Sequence, residues 1–473
     1  MKFLDRSSEM KRLDKLMTTG DGGMAIIYGR RRVGKTRLLL EWVHKYHGLY
    51  SVADQSAPGV QRQYFAEVIA GKFDGFSEVE YRDWRTLLDR FAREAKTKNW
   101  RGPIVIDELP YLVSSSKELP SVLQQWVDHE ARHSRLVVAM AGSSQRMMQG
   151  LVMGANSPLY GRASQVLEIK PLDAWYLREA FGLDSIIKLV EHYTAWGGIP
   201  RYWEFTAAVG KSVELQIDEL VLDPMGPLHR EPDRLLLDEI PPAVALRPIL
   251  DIIGSGVHRI SEIAGRLGQP ATSLVRPLDR LIGMDLIERQ IPFGESPKSG
   301  KRSLYKISDP FFRFWFRVVA PHRGLLTTAS REIRLNLLKE HWQSLVATAW
   351  EDICRNRLIS LNPSCALGQL GPWKPALRFW QAHGPEWDIV ADSIDGKHLL
   401  LGEVKWSKKP CNTDEINRMA RQILAKGIPP LPKLYNRRQI VHAIFIPETK
   451  QKVSKTTEEV FIVTGDDLIR PDV

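Results

Sequence analysis

The sequence contains little cysteine and no long apolar run. Its three cysteines, Cys354, Cys365 and Cys411, lack the spacing of metal ligands, and their odd number suits a reducing compartment. Neither a zinc site nor a disulfide framework is therefore expected. No stretch approaches the roughly 20 apolar residues of a membrane span, and residues 1–6 lack the apolar segment of a signal peptide. These absences predict a cytoplasmic protein without a membrane partner.

The composition is that of a soluble globular protein. Of the 473 residues, 43% are apolar and 26% are charged, which excludes a chain that is disordered throughout. Single hydrophobic cores stop growing near roughly 250–300 residues, so this length predicts several domains. The net charge of +10 favours a polyanionic partner such as nucleic acid, although a protein that only binds nucleotide also carries basic residues.

A phosphate-binding loop is predicted between residues 24 and 40. An apolar stretch leads into Gly-Arg-Arg-Arg-Val-Gly-Lys-Thr and then a helical pattern, which satisfies the P-loop motif. Glycines let backbone N–H groups approach phosphates closely, and the positive end of the next helix faces the same anion. Lys35 would reach the terminal phosphates of ATP, and the Thr36 hydroxyl would bind Mg²⁺. The candidate ATP-binding residues here are Gly29, Arg30, Arg31, Arg32, Val33, Gly34, Lys35, Thr36 and Arg37.

A second strand is predicted at 48–54, and an acidic pair follows the third. Residues 103–106 lead into Asp107 and Glu108, after strands and helices that alternate as in a parallel sheet covered on both faces. Asp107 at the carboxyl end of the strand is expected to bind Mg²⁺ with Thr36. Glu108 is expected to orient and deprotonate the attacking water. The alternative interpretation of the pair is a solvated turn.

Three further positions are candidates for contact with the nucleotide. The apolar run 135–144 ends in Ser143 and Ser144, where a hydroxyl would either face the terminal phosphate or cap the helix that follows. Arg162 precedes a fifth strand and is either an arginine finger, which neutralises the transferred phosphate, or a surface arginine. Pro200 lies in a Gly-Gly-Ile-Pro turn between two helices of a small helical lid, where it would pack on the base.

These motifs together resemble the archaeal and bacterial STAND-type P-loop ATPases, which are relatives of the AAA+ proteins. The resemblance includes Phe-Leu-Asp-Arg at 3–6, the arginine-rich P-loop, Ile-Asp-Glu-Leu-Pro-Tyr-Leu at 106–112, Ala-Gly-Ser-Ser at 141–144 and the Gly-Gly-Ile-Pro turn. It implies an α/β fold with a five-stranded sheet, a central P-loop strand and a helical lid. It also implies a switch-like protein that forms homo-oligomers when ATP is bound.

Residues 241–307 are predicted to form short helices followed by two strands. The helices are expected at 246–254, 259–267 and 271–284, and the strands at 286–291 and 303–307. This order is typical of a winged helix-turn-helix, which binds DNA in some proteins and serves as a protein-protein spacer in others. Pro277 inside the presumed recognition helix weakens the DNA-binding interpretation. The candidate nucleic-acid contacts are Arg276, Arg280, Lys298, Lys301 and Arg302.

An aromatic and basic block occupies residues 308–317. Its rings would either stack on bases or pack at a domain joint, and packing is the favoured interpretation. The block also resembles the linker of the longer members of the same ATPase family. Those members carry a C-terminal nuclease-like domain.

The last domain is predicted to contain the PD-(D/E)xK nuclease motif. Asp388 on one strand, and Glu403 and Lys405 on the next, resemble this motif, although Glu386 and Trp387 separate Asp388 from the nearest proline. Side chains two apart on a strand share a face, so Glu403 and Lys405 point the same way. Asp388 and Glu403 would bind Mg²⁺ while Lys405 activates water. Glu351 would add a third acid and Gln422 a further contact; the alternative is a charged hairpin.

The predicted domains are a P-loop ATPase core at 1–171, a helical lid at 172–235, a winged helix with its linker at 236–320 and a restriction-endonuclease-like α/β domain at 331–473. We therefore expect an ATP- and Mg²⁺-dependent protein that acts on nucleic acid, with DNA the expected kind, in defence against foreign DNA or in recombination and repair. The alternative function is an ATP-dependent switch that binds DNA or a protein without cutting. RNA is a second conceivable target.

Overall fold

The computed structural model describes residues 3–470, except 144, 153–156, 211, 240–245, 297, 299, 301 and 382–383. The chain divides into two compact units. The first comprises Met1–Leu172 and Ile199–Arg201, and the second comprises Asp173–Gly198 and Tyr202–Val473. The predicted boundary near residue 171 falls at this division, whereas the boundaries near 235 and 320 lie inside the second unit and stay predictions.

A five-stranded parallel sheet forms the centre of the first unit. Its strands are β1 (Gly23–Tyr28), β2 (Leu49–Val52), β3 (Pro103–Asp107), β4 (Val137–Gly142) and β5 (Gln165–Glu168). They lie in the order β2-β3-β4-β1-β5. The strand before the P-loop is therefore interior, as a buried strand must be. The expectation that it is central is wrong, because β4 occupies the middle of the sheet.

Helices connect these strands, as the alternation of patterns predicts. The helix α4 shows the cause: Trp84, Leu87, Leu88 and Phe91 recur at helical spacing and are buried, and Asp83 caps the first turn by accepting a hydrogen bond from the Thr86 N–H. The helices of the first unit are α1 (Ser7–Thr19), α2 (Lys35–Lys45), α3 (Pro58–Ala70), α4 (Trp84–Thr97), α5 (Leu109–Ser115), α6 (Leu119–Trp126) and α7 (Gln145–Val152).

The second unit begins with helices and a short antiparallel hairpin. The hairpin consists of β6 (Ile287–Gln290) and β7 (Leu304–Ile307). The helices are α8 (Tyr176–Phe181), α9 (Ile186–Trp196), α10 (Pro200–Thr206), α11 (Val213–Ile217), α12 (Glu231–Glu239), α13 (Arg247–Gly254), α14 (Ile260–Leu267), α15 (Val275–Ile282), α16 (Pro310–Phe314), α17 (Arg323–Leu326) and α18 (Arg331–Arg357).

The aromatic block packs in the interior of the second unit. Phe311, Phe312, Phe314 and Trp315 are completely buried, and Phe311 stacks on the ring of Trp196. Buried rings cannot stack on the bases of a nucleic acid. The packing interpretation of this block is therefore confirmed.

A mixed five-stranded sheet forms the C-terminal part of the second unit. Its order is β12-β11-β10-β9-β8, with β10, β11 and β12 parallel and the pairs β10-β9 and β9-β8 antiparallel. The helix α19 connects the parallel strands β10 and β11, as a crossover must. The elements are β8 (Leu377–Phe379), β9 (Trp387–Asp392), β10 (His398–Val404), α19 (Thr413–Ala425), β11 (Gln439–Ile446), β12 (Phe461–Thr464) and α20 (Gly465–Leu468).

Within the described part of the chain, no helix is both long enough and apolar enough to cross a lipid bilayer. The longest helix, α18, has 27 residues but carries charged side chains along its length.

Candidate functional site

The predicted P-loop connects β1 to α2. Gly29 has a φ of +146°, and a Cβ atom there would lie 2.3 Å from the carbonyl oxygen of Ile169, so only glycine fits. Gly34, at the N-cap of α2, has a φ of +96°, and a Cβ atom there would lie 3.8 Å from Cγ of Pro200. The two glycines therefore set the path of the loop, and Pro200 lies beside Gly34. The contact of Pro200 with the base of the nucleotide stays a prediction.

Lys35 points back into the loop. Its side chain is buried, and Nζ donates hydrogen bonds to the carbonyl oxygens of Gly29 at 2.6 Å and Arg30 at 2.9 Å. A buried ammonium group needs such partners or an anion. Lys35 therefore presents its charge inside the curve of the loop, where phosphates of a nucleotide would lie.

Arg6 ties the start of the chain to the P-loop. Its guanidinium is buried, and Nη2 donates to the carbonyl oxygens of Val33 at 2.9 Å and Lys170 at 2.6 Å, while Nη1 contacts Glu9 at 3.1 Å. The first of these bonds satisfies the Val33 carbonyl oxygen, which belongs to the loop. The N-terminal segment thus supports the loop conformation.

Asp107 brings together two hydroxyl groups at the end of β3. Its Oδ2 accepts hydrogen bonds from Thr36 Oγ1 at 3.0 Å and from the Tyr50 hydroxyl at 2.5 Å, and Oδ1 accepts from the Glu108 N–H. Burial and the charge of Asp107 raise the pKa of Tyr50. A carboxylate and a hydroxyl are hard oxygen ligands, so the adjacent pair Asp107 and Thr36 fits Mg²⁺.

Glu108 is held by Ser143 from the end of β4. The Ser143 hydroxyl donates to Glu108 Oε1 at 2.7 Å, and the Ser143 N–H donates to Oε2 at 3.3 Å. Glu108 has a φ of +54°, an uncommon conformation for a residue other than glycine. The Ser143 hydroxyl thus contacts a candidate catalytic base, and Ser144 lies outside the described residues.

The candidate nuclease residues lie on neighbouring antiparallel strands. Gly402 pairs with Ile389, and the same register places Glu403 directly opposite Asp388. Opposed residues of an antiparallel pair point to the same face. Asp388 Oδ2 also accepts a hydrogen bond from the Val404 N–H at 3.0 Å. The two predicted carboxylates therefore share one face of the sheet.

Glu403 is buried between two lysines. Lys405 Nζ contacts its Oε2 at 2.9 Å, and Lys426 Nζ contacts its Oε1. Lys426 directly follows α19 and also lies over the ring of Trp387, 5.0 Å from its centroid. Sequence analysis named Gln422, one turn earlier on the same helix, as the contact from this helix. Lys426 is the residue that the structure brings to Glu403.

Glu351 lies on α18 near Asp388. Burial, and next the charge of Asp388, raise the pKa of Glu351, although Arg355 contacts its carboxylate at 3.8 Å. Within residues 3–470, leaving aside the gaps given above, no three or more His, Cys, Asp and Glu side chains group closely enough to hold a metal ion. Any metal at this face would therefore rely on Asp388 and Glu403, and a role for Glu351 stays a prediction.

Two family models match the chain. One, described as an ATPase domain predominantly from Archaea, matches residues 3–204, and one for archaeal and bacterial proteins of unknown function matches residues 315–419. An uncharacterized protein of Methanocaldococcus jannaschii is 30% identical over 431 residues, which cover 90% of this chain and 92% of the relative. The chain belongs to the archaeal ATPase family.

Solved structures of other ATPases are similar to this one. The Walker-type ATPase of Pyrococcus abyssi is 21% identical with a TM-score of 0.52, and the match covers 67% of this chain and 96% of that one. The ORC2 protein of Aeropyrum pernix is 12% identical with a TM-score of 0.46, covering 73% and 96%. The first likeness shows that this ATPase has an α/β fold with a parallel five-stranded sheet shared with P-loop ATPases.

Three arginines that were predicted to contact the nucleotide have partners other than Asp107 and Glu108. Arg31 donates to the Tyr111 hydroxyl at 3.0 Å, and Arg37 pairs with Glu41 on the exposed side of α2. Arg162 donates to both carboxylate oxygens of Asp128, at 2.8 and 3.0 Å. The roles of Arg31, Arg37 and Arg162 at the nucleotide therefore stay predictions.

The candidate nucleic-acid contacts of the ATPase lie on and after α15. Arg302 pairs with Glu295, and the backbone N–H of Lys298 donates to the Ser296 hydroxyl. Arg276 is exposed, Arg280 lies in the last turn of α15, and Lys301 lies outside the described residues.

Sequence analysis missed three residues that contact these sites. Tyr50 is separated from Asp107 by more than fifty positions, and its strand β2 gives no sign of which residue faces it. No feature of the sequence distinguishes Lys426 from the other lysines of the chain. Arg6 appeared only as part of the family signature, because the mixed polar and apolar residues around it do not mark it as buried.

Proposed function

We propose that this ATPase binds ATP with Mg²⁺ at the P-loop and hydrolyses it with Glu108 as the base. The observation that carries the proposal is the hydrogen bond between Thr36 and Asp107, which joins the helix after the P-loop to the acidic end of β3. Thr36 and Asp107 would hold Mg²⁺, which would neutralise charge that develops on the phosphates. Backbone N–H groups of residues 29–36 and Lys35 would bind the phosphates.

Glu108 is the group that would take a proton from the attacking water. It follows Asp107 directly, and its carboxylate is oriented by the side chain and backbone of Ser143. These two hydrogen bonds fix the orientation of the Glu108 carboxylate. The water proton would pass to a Glu108 oxygen, and Lys35 would stabilise the charge on the terminal phosphate.

Nucleotide binding tests the phosphate-binding role of the loop. Lys35→Ala removes a charge-assisted contact to phosphate and is expected to weaken binding of a fluorescent ATP analogue about 10- to 100-fold. Lys45→Ala, at the far end of the same helix, removes an exposed lysine that pairs with Asp14 and is expected to bind as the wild type does. Equal binding by both variants would contradict the proposal.

A second candidate function is cleavage of DNA at the C-terminal sheet. The observation in its favour is the register that opposes Asp388 and Glu403, with Lys405 two residues further along β10. Mg²⁺ in proteins is often bound by only one or two carboxylates together with substrate phosphates. Asp388 and Glu403 meet that requirement, and the metal would act as a Lewis acid on a phosphodiester.

The two lysines beside Glu403 would then have separate roles. Lys405 is 41% exposed and would hold the hydrolytic water, whereas Lys426 is 28% exposed and packs over Trp387. Lys426 would balance the negative charge of the buried Glu403 carboxylate. The helices α13, α14 and α15 with the hairpin β6-β7 support a winged helix that would present DNA to this domain.

Plasmid cleavage tests this second function. Purified protein with Mg²⁺ or Mn²⁺, with and without ATP, is expected to cut DNA, and Lys405→Ala is expected to cut about 100-fold more slowly. Lys409→Ala, an exposed lysine after the same strand, is the matched control. Unchanged cutting by Lys405→Ala would overturn the assignment, and no cutting of DNA or RNA would favour the rival ATP-dependent switch.

A further inference from the structure

A basic cleft lies at the amino edge of the parallel sheet in the first unit. All strands of this sheet run the same way, so their amino ends meet at one edge, and the P-loop lies at the opposite edge. The cleft has a volume of about 690 Å³. The turns that enter β1, β2, β3 and β4 contribute to its walls.

The charge of this cleft is of one sign. Its lining contains Lys72, Lys98, Arg101, Arg135 and His47, and no carboxylate side chain. Nothing in the described part of the chain pairs any of the four permanent cations with a carboxylate. Lys98 Nζ donates to the Lys72 carbonyl oxygen at 3.4 Å and lies 5.1 Å from the centroid of the Phe73 ring. Arg101 donates to the Ser134 carbonyl oxygen at 3.1 Å. Surface cations usually lie near opposite charges, so such a group favours an anionic ligand.

The floor of the cleft is tightly built. A Cβ atom at Gly102 would lie 2.5 Å from the Trp100 ring, and one at Gly48 would lie 2.3 Å from the Pro103 carbonyl oxygen. Trp100 packs edge-on against Phe73 and Phe91. These contacts fix the backbone of the turn that enters β3, next to Lys98 and Arg101.

Three turns of the cleft are closed helix ends. His47, Asn99 and Arg135 have φ values of +52°, +48° and +54°, and each lies in a different turn of the cleft. In each turn the N–H of the next residue donates to a carbonyl oxygen five residues back at 2.9 Å, as in the Schellman ending of a helix. These hydrogen bonds fix the backbone of the three turns.

We propose that this cleft binds the phosphate backbone of a nucleic acid strand. Several cations spread over an open cleft match successive phosphates along a strand better than a single phosphate group. The proposal deepens the proposed action on nucleic acid, on which it rests for the class of partner, but it does not need cleavage. It assigns the contact with the nucleic acid to the first unit and not to α15 and the hairpin.

Salt-dependent binding of labelled oligonucleotides to the full-length protein tests the cleft. Fluorescence anisotropy is measured with single-stranded and duplex DNA over a range of salt concentrations. The variant Lys72→Ala with Lys98→Ala and Arg135→Ala is expected to reduce the slope of log affinity against log salt by about 2–3, because each phosphate contact contributes about 0.7–0.9. ATP binding by the variant is expected to stay unchanged.

A second triple variant provides the matched control. Lys11→Ala with Arg12→Ala and Lys117→Ala removes three exposed cations of the same unit that do not line the cleft, and it is expected to keep the wild-type slope. Equal slopes for the two triple variants would overturn the cleft and leave the proposed function standing. No binding of DNA by the wild type would overturn both.

Helix ends give a competing explanation of the same cations. The helices α1, α2, α3 and α4 all end near this edge, and their carbonyl ends attract positive side chains. That explanation predicts that the cleft variant loses thermal stability while its oligonucleotide affinity stays at the wild-type value. This result would also overturn the proposal.

Inorganic polyphosphate, added as a competitor, is expected to displace DNA from the wild type.

Discussion

At the scale of single residues, the nucleotide site depends on a few atoms that the sequence places far apart. Thr36 and Asp107 were predictable as partners because each belongs to a motif with a known chemical role. Tyr50 was not predictable, because a hydrogen bond from one strand to the next depends on strand order. The Tyr50 hydroxyl shares Asp107 Oδ2 with Thr36, so two side-chain hydroxyl groups set the position of one carboxylate.

Glu351 provides a prediction at the residue scale. Burial and then the charge of Asp388 raise its pKa in the folded state, so the folded protein favours the protonated form. Its stabilising contribution is present below the pKa of the unfolded chain and is lost as pH rises through the folded value. Glu351→Gln is therefore expected to raise the melting temperature of the protein at about pH 7.5 and to change it little at about pH 4.

Glu340→Gln is the control for this measurement. Glu340 is an exposed residue of the same helix, α18. The Glu340→Gln protein is expected to melt at the wild-type temperature at both pH values. A stabilising effect of Glu351→Gln that is equally large in acid and at neutral pH would contradict the account.

At the scale of elements, the two glycines of the P-loop make different demands. Gly29→Ala places a Cβ atom 2.3 Å from a backbone carbonyl oxygen, whereas Gly34→Ala meets only Pro200 Cγ at 3.8 Å. Both substitutions strain a positive φ, which costs about 1–2 kcal/mol, but only the first also creates a clash. We expect Gly29→Ala to weaken binding of an ATP analogue at least about tenfold more than Gly34→Ala does.

The reverse order of the two glycine variants would contradict this account of the loop. Titration of the fluorescent analogue provides the measurement, and circular dichroism establishes that each variant is folded.

A buried ionic cluster joins elements of the second unit. Asp352 on α18 contacts Lys306 at 2.7 Å, Arg313 at 2.6 Å and Arg355 at 2.5 Å. Burial opposes ionisation of Asp352, but these three cations hold its pKa well below the usual range. Burial, together with the charge of Arg313, lowers the pKa of Lys306 to about 8. The cluster thus links β7, α16 and α18 through one carboxylate.

Asp352→Asn is predicted to destabilise the second unit. It leaves three largely buried cations without their shared counter-charge, which costs about 3–5 kcal/mol in other proteins. Urea denaturation measures the change, with the exposed Asp395→Asn as a control. A loss no larger than that of the control would show that the cluster is not structural.

The helix α18 also shows where prediction from sequence was incomplete. The apolar pattern predicts a helix from Trp342 to Leu358, but the helix begins at Arg331 after Ser330, whose hydroxyl accepts a hydrogen bond from the Ile333 N–H. The segment 331–341 is mainly polar, so apolar periodicity does not mark it, whereas the capping residue does. Strands β9 and β10 were predicted closely, because buried strands give long apolar runs.

At the scale of the whole molecule, the sequence predicted the order of elements better than their arrangement. The five strands of the first sheet were expected in sequence, but the central position of β4 follows from crossovers that no local pattern encodes. In the same way, the carboxylates Asp388 and Glu403 were predictable as a pair. Lys426 was not, because its contact with Glu403 depends on how α19 packs on the sheet.

The central claim concerns hydrolysis of ATP by Glu108, and phosphate release tests it most directly. The assay compares the wild type, Glu108→Gln and the exposed control Glu118→Gln with ATP and Mg²⁺. We predict that Glu108→Gln binds ATP as the wild type does but releases phosphate about 10²–10⁴ times more slowly. Phosphate release by Glu108→Gln at the wild-type rate would contradict the account.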